Sequence, residues 1–300
     1  MTDLFASPTD LTVSGGPVRL YRAGDVGPPV LLLHGAMLDT ARGVWRDVAP
    51  ALAADHRVHL VDLPRHGGSR PWRGVLDDAF FRRFLDDLLD ELDLPRVAVV
   101  GLSMGGGVAA GYALDRPERV SSLVAVGPGG IGARRRAQLL TWLFLRTPGA
   151  LRLTTRYLAR RPEVVRRSMV TSLTAGEDTR DLESIVHLAI EEARAKDRHG
   201  EPALDDWQVR AYGPFSMRLD LLPDLHRLTV PTLWVRGDQD PLVGAAELSA
   251  AAAAAPGSHL VTVADAGHIV PYDQPEELTR LVREFLTAAP GSHPSAVPGR

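Results

Sequence analysis

Apolar residues along this chain come in short unbroken runs separated by longer segments of helical spacing. The runs "VRLYRAG" (18–24), "PVLLLHG" (29–35), "HRVHLVDLP" (56–64), "RVAVVGLS" (96–103), "VSSLVAVGP" (120–128), "PTLWVRG" (231–237) and "HLVTVADAG" (259–267) read as strands. Between them, 43–54, 77–92, 104–116, 244–255 and 275–288 read as helices, the last with Pro275 at its start. Continuous rather than alternating apolar strands imply that both faces of the sheet are covered. That predicts an α/β fold with a mostly parallel central sheet and helices on both faces.

The rhythm breaks between about 130 and 225, where several helical segments follow one another with no strand between them. This stretch is expected to be an inserted helical cap over one edge of the sheet. The expected organisation is a core from 1–130 and 226–290, a cap over 131–225, and a disordered tail over 291–300 with nothing apolar to bury. Six alanines at 250–255 are a helix former rather than a linker, and "GPGGIG" (127–132) reads as the hinge into the cap.

One junction carries chemistry. "GLSMG" (101–105) sets Ser103 between two glycines, with a strand before it and a helix after it. A sharp strand-to-helix turn forces its central residue into strained backbone angles and leaves room only for glycine two positions either side. It also aims the first amides of the helix at whatever sits on the serine. A serine hydroxyl is a poor nucleophile at neutral pH unless a base takes its proton and a carboxylate orients that base. His268, in the loop after the strand 259–267, stands where such a base would be needed. The carboxylate should come from "WVRGDQDPLV", where Asp238 and Asp240 compete.

Composition narrows the field. The chain has 300 residues, 45% of them hydrophobic and 24% charged, with a formal net charge of −3. That gives no global bias toward nucleic acid or membrane. There is no cysteine, so disulfides, thiolate catalysis and cysteine zinc sites are excluded. The basic residues are arginines apart from a single lysine, Lys196. The first residues lack a basic and apolar leader, and no apolar run approaches membrane-span length, so a cytoplasmic protein with no membrane partner is expected. "ARRRAQ" (133–138) reads as a solvated cap surface in preference to an anion contact, and His34 as a turn-shaping residue in preference to a base.

Taken together, these stretches resemble the α/β-hydrolases of the capped esterase, cofactor-free haloperoxidase and C–C hydrolase group, over roughly residues 10 to 288. The chain order Ser103, acid, His268 matches that fold. The resemblance selects Asp240, three residues after the strand-ending Gly237, over Asp238. "LLLHGAML" (31–38) resembles the family's HG-x turn, which implies backbone donors at Ala36 and Met104 for an oxyanion, with Met37 as the fallback. "DLPRHGGS" (62–69) resembles a structural loop of the family with Arg65 where a glycine is usual. The resemblance implies no metal and no organic cofactor, and a small ester or other acyl substrate.

The pocket is expected to draw on Met37, Trp142, Trp207, Phe215 and Ile269, with the run "LLTWLFL" (139–145), Met169, Tyr212 and Met217 as further cap candidates, most of them cap core. Carboxylic ester hydrolysis through an acyl-enzyme is the simplest expectation. Perhydrolysis and C–C bond hydrolysis share the same machinery, although "HGAML" and Ile269 depart from the glycine-rich turn and the tryptophan usual in C–C hydrolases. A serine at the elbow argues against dehalogenases and epoxide hydrolases, and nothing in the sequence marks a lipase's interfacial surface. A ligand-sensing receptor on the same scaffold is the alternative of another class.

Overall fold

In the computed structural model, which describes residues 4–288, eight strands form one sheet. They are β1 (Thr9–Val13), β2 (Gly16–Ala23), β3 (Pro29–Leu33), β4 (Arg57–Val61), β5 (Val97–Leu102), β6 (Val120–Val126), β7 (Thr232–Gly237) and β8 (Ser258–Val263). Their order across the sheet is β1-β2-β4-β3-β5-β6-β7-β8. From β4 to β8 every pairing is parallel, and the antiparallel pairings are β1 with β2 and β2 with β4. The expected tail at 291–300 lies outside the described residues.

All six residues of β5 are buried, because helices cover both of its faces. On one side α3 (Asp78–Glu91), α4 (Met104–Asp115) and α10 (Ala245–Ala254) build a core around Phe81, Phe84, Tyr112 and Trp234. On the other, α1 (Ala41–Val44), α2 (Val48–Leu52) and α12 (Pro275–Ala288) pack around Trp45, Leu52 and Val282. This explains why the strands show no alternation of apolar and polar positions.

Two local expectations need correction. The single helix expected over 43–54 is two short ones: Thr40 caps the first with its hydroxyl on the Gly43 amide, and the second contains Pro50. An unbroken helix would need an amide proton at residue 50 to reach the Arg46 carbonyl, and proline has none. The edge strand β1 is an addition, since its five alternating residues give too weak an apolar run to stand out.

Between β6 and β7 lies a helical insertion of α5 (Gln138–Arg146), α6 (Ala150–Arg160), α7 (Pro162–Ser172), α8 (Leu182–His199) and α9 (Asp206–Ala211). Charged groups tie it to the core: Arg70 pairs with Glu192 and Glu201, and Arg65 with Asp206 at 2.7 Å. Arg65 also adopts φ 67°, the left-handed conformation that explains the glycine usual there in the resembling family. A short helix α11 (Val270–Asp273) follows the loop after β8.

Candidate active site

The parallel strands β3, β5, β7 and β8 end on the same rim of the sheet, and the turn after each contributes to one site. After β5 the chain reverses into α4 at Ser103, which takes φ 51° and ψ −112°. Such a conformation is sparsely populated for a residue with a side chain and persists only where the surroundings enforce it. Here the Ser103 amide donates to Val126 O at 2.9 Å, while Ser103 O accepts from Gly107 N and Gly129 N at 3.0 and 2.9 Å. A Cβ at Gly101 would lie 2.4 Å from Gly105 O, and one at Gly105 would lie 2.6 Å from His34 O. Any side chain at either position would force strand and helix apart.

His268 bridges Ser103 and Asp240. Its Nε2 lies 2.9 Å from Ser103 Oγ, and its Nδ1 lies 2.9 Å from Asp240 Oδ2. The other carboxylate oxygen, Asp240 Oδ1, accepts from the amides of Leu242 and Val243 at 2.8 and 3.0 Å. Burial alone would push the Asp240 carboxyl up; the pull of His268 and of the two amides outweighs it and holds the group below its ordinary value. Asp238 has a different duty: its Oδ1 accepts from Ala266 N at 3.2 Å and braces the turn. Between the two aspartates, Asp240 alone reaches the imidazole.

The turn after β3 completes the rim. His34 is fully buried, with Nδ1 2.7 Å from Gly35 O and Nε2 accepting from Leu63 N at 2.9 Å. Burial drives its pKa well below the ordinary histidine value, so it shapes the turn as a neutral ring. A Cβ at Gly35 would lie 3.4 Å from Ser103 Cβ, which sets the following residue, Ala36, beside the serine. Met104 is the first residue of α4, ahead of the first intrahelical bond from Gly107, so its amide has no acceptor within the helix. The fallback donor Met37 is already used: its amide donates to Asp205 Oδ2 at 2.8 Å. Its backbone N–H is therefore committed to the protein.

A cavity of about 460 Å³ opens beside Ser103 and His268. Met37, Ile269 and Met169 line it, together with small polar side chains such as Ser168, Thr171 and Gln208. The other expected pocket residues lie elsewhere. Trp207 is buried behind α4, with its ring 3.0 Å from where a Gly107 Cβ would stand and its Nε1 donating to Asp78 Oδ1 at 2.9 Å. It fills the space that Gly107 and Gly129 leave. Phe215 is 75% exposed, and Trp142 is half-buried on α5, away from the cavity lining. Tyr212 and Met217 pair with each other through an isolated bridge.

Two further groups at the site carry no motif. Asp205, the N-cap of α9, is buried and accepts from Lys196 Nζ at 2.9 Å as well as from Met37, with His66 Nε2 3.4 Å away. Burial favours its protonation, but the pull of Lys196, with that of His66, prevails and holds its pKa far below the carboxylate range. Asp39 lines the cavity, and burial pushes its carboxyl up to about 7, against the opposing pull of His268 and His66. Because the folded state favours the protonated Asp39, its contribution to stability is present below the unfolded value of 3.8 and is lost as pH rises through about 7. Asp240 and Asp205 have the opposite sign, so the test is a difference between proteins. Asp39→Asn should narrow the fall in melting temperature between about pH 5 and about pH 8, as read by calorimetry; an unchanged gap would contradict the buried setting of this acid.

A sequence profile of the α/β-hydrolase fold matches residues 28–275. The pimeloyl-[acyl-carrier protein] methyl ester esterase of Aeromonas salmonicida is 29% identical over 276 residues, covering 90% of this chain and 99% of that protein. The 2-hydroxy-6-oxo-6-phenylhexa-2,4-dienoate hydrolase of Comamonas testosteroni is 33% identical over 141 residues, 44% of this chain and 47% of that one. Among solved structures, a thermophilic esterase from Thermogutta terrifontis superposes with a TM-score of 0.72 at 25% identity, over 94% of this chain and 98% of that one.

Proposed function

From a chain that belongs to the α/β-hydrolase fold family, we propose a serine hydrolase that cleaves a small carboxylic ester through an acyl-enzyme. The observation that carries this reading is the imidazole of His268 held 2.9 Å from both Ser103 Oγ and Asp240 Oδ2. In the proposed reaction Ser103 Oγ attacks the carbonyl carbon as His268 Nε2 takes its proton. Asp240 keeps the second proton on Nδ1 and stabilises the imidazolium that forms. The tetrahedral oxyanion is received by the Ala36 and Met104 amides, each such donor contributing about 3 kcal/mol to the transition state. Collapse breaks the ester bond, His268 protonates the departing alcohol, and water repeats the sequence to release the acid and regenerate Ser103. The insertion, whose α7 supplies Ser168, Met169 and Thr171 to the cavity, acts as the cap that selects the acyl group.

C–C bond hydrolysis is the neighbouring chemistry, and the relative named for it acts on a dienoate, a carboxylate. The ionisable side chains lining this cavity are Asp39 and His268, with no arginine or lysine. A substrate carboxylate would therefore meet an acid and no arginine or lysine, which favours a neutral ester. Turnover of neutral p-nitrophenyl esters, compared with esters bearing an acyl carboxylate and with a vinylogous diketone acid, tests this. Multiple turnovers on the neutral esters, faster than on either anion, are expected. A single stoichiometric release of p-nitrophenol would point to a ligand sensor, and faster diketone cleavage to a C–C hydrolase.

A further inference from the structure

The insertion presents apolar side chains that nothing among the described residues covers. On α5, Leu139, Leu140, Leu143 and Phe144 are all exposed, Leu140 by 70%. Their spacing, two pairs four residues apart, makes one continuous stripe along the helix. The next helix, α6, is in contact with α5 and exposes Leu153, by 68%, and Tyr157. Isolated exposed leucines are ordinary; six large apolar residues on two consecutive short helices are not.

The segment that carries this stripe contributes charge of one sign. Between Glu118 and Glu163 the sequence contains no aspartate or glutamate, while residues 134–161 carry eight arginines. Arg135 and Arg156 pair with Glu247 and Asp197 of other segments, and Arg161 with its near neighbour Glu163. Arg134, Arg136, Arg146, Arg152 and Arg160 make no ion pair among the described residues. A second copy of the chain seated on this face in twofold fashion would set arginines against arginines, since an isologous interface pairs the same patch with itself. An anionic lipid surface offers what both features need: hydrocarbon at the headgroup boundary for the leucines and phenylalanine, and phosphates for the arginines.

We propose that α5 and α6 form a docking face for the surface of a bilayer containing anionic phospholipid. The sequence-based expectation of no membrane partner rested on the lack of a spanning run. No helix among the described residues is long and apolar enough to cross a membrane, but a helix lying in the interface needs no such length. This docking is separate from the ester chemistry, because none of these side chains lines the cavity at Ser103.

Co-sedimentation of the full chain with phosphatidylcholine vesicles, with and without phosphatidylglycerol, tests the proposal whatever the catalytic activity is. Binding should appear with phosphatidylglycerol, weaken as salt is raised, and fall by about tenfold or more in Leu140→Asp/Phe144→Asp and in Arg146→Glu/Arg152→Glu. Both variants should keep the wild-type far-UV spectrum, because the substituted side chains are exposed. Equal partition onto the two vesicle types, or undiminished binding by both variants, would overturn it. So would sedimentation velocity showing a wild-type dimer that Leu140→Asp/Phe144→Asp dissociates, since a second copy would then be the occupant.

Discussion

Replacing Ser103 with alanine should lower kcat on a p-nitrophenyl ester by roughly 10⁴- to 10⁶-fold while leaving the melting temperature within about 2 °C of wild type. The loss is large because the proposed reaction has no other nucleophile: His268 Nε2 would face a methyl group, and only the Ala36 and Met104 amides would remain to act on a bound ester. The fold should tolerate the change, since the hydroxyl's hydrogen bond runs to His268 and the backbone bonds that hold φ 51° come from Val126, Gly107 and Gly129. His268→Ala should cost a comparable factor, and the double variant little more than either single change, because the two side chains act as one unit. Steady-state kinetics on all three proteins checks this. A double variant much slower than both singles would mean that the residues contribute independently and that the hydrogen bond between them is not the working feature.

The second large effect concerns stability. Asp205→Ala should destabilise the protein by about 3–5 kcal/mol, a fall of roughly 6–15 °C in melting temperature. Removing the carboxylate leaves the Lys196 ammonium 1% exposed with no counter-charge, and strips the Met37 amide of its acceptor. Because that amide belongs to the turn beside Ser103, kcat should also fall, by less than the Ser103 change. The cause can be isolated with Lys196→Met in the same chain, which removes the stranded charge and should recover a large part of the lost stability. If Asp205→Ala melts within about 2 °C of wild type, the Asp205 carboxylate does not clamp the insertion to the turn after β3.

The sheet was legible because burial on both faces turns each strand into an unbroken apolar run, as in "VAVVGL" of β5. The elbow was legible because a tight reversal admits only glycine beside its central residue, and Gly101 and Gly105 record that constraint in sequence. Asp240 became separable from Asp238 only through the family's spacing, and the structure gives the physical difference: one reaches the imidazole, the other an amide of the opposite turn. What escaped was chemistry made by residues distant along the chain with no repeated pattern. Asp205 meets Met37 across 168 positions. Its signal was present but mute: Lys196 is the single lysine of an arginine-rich chain. Asp39, an acid directly after the apolar "GAML", was a signal of the same kind. The pocket wall escaped for another reason. Large aromatics were expected to join Met37, Met169 and Ile269 there, yet Trp207 fills the gap beside Gly107 and Gly129, and the rest of the wall includes leucines, serines, threonines and glutamines whose spacing says nothing.

The most direct measurement is the site of covalent capture by a fluorophosphonate, read by intact mass and peptide mapping. One phosphonyl group per chain is expected on the peptide carrying Ser103, with capture slowed by orders of magnitude in His268→Ala. Stoichiometric labelling elsewhere, or labelling of Ser103 at an unchanged rate without the histidine, would contradict a serine activated by the His268–Asp240 pair.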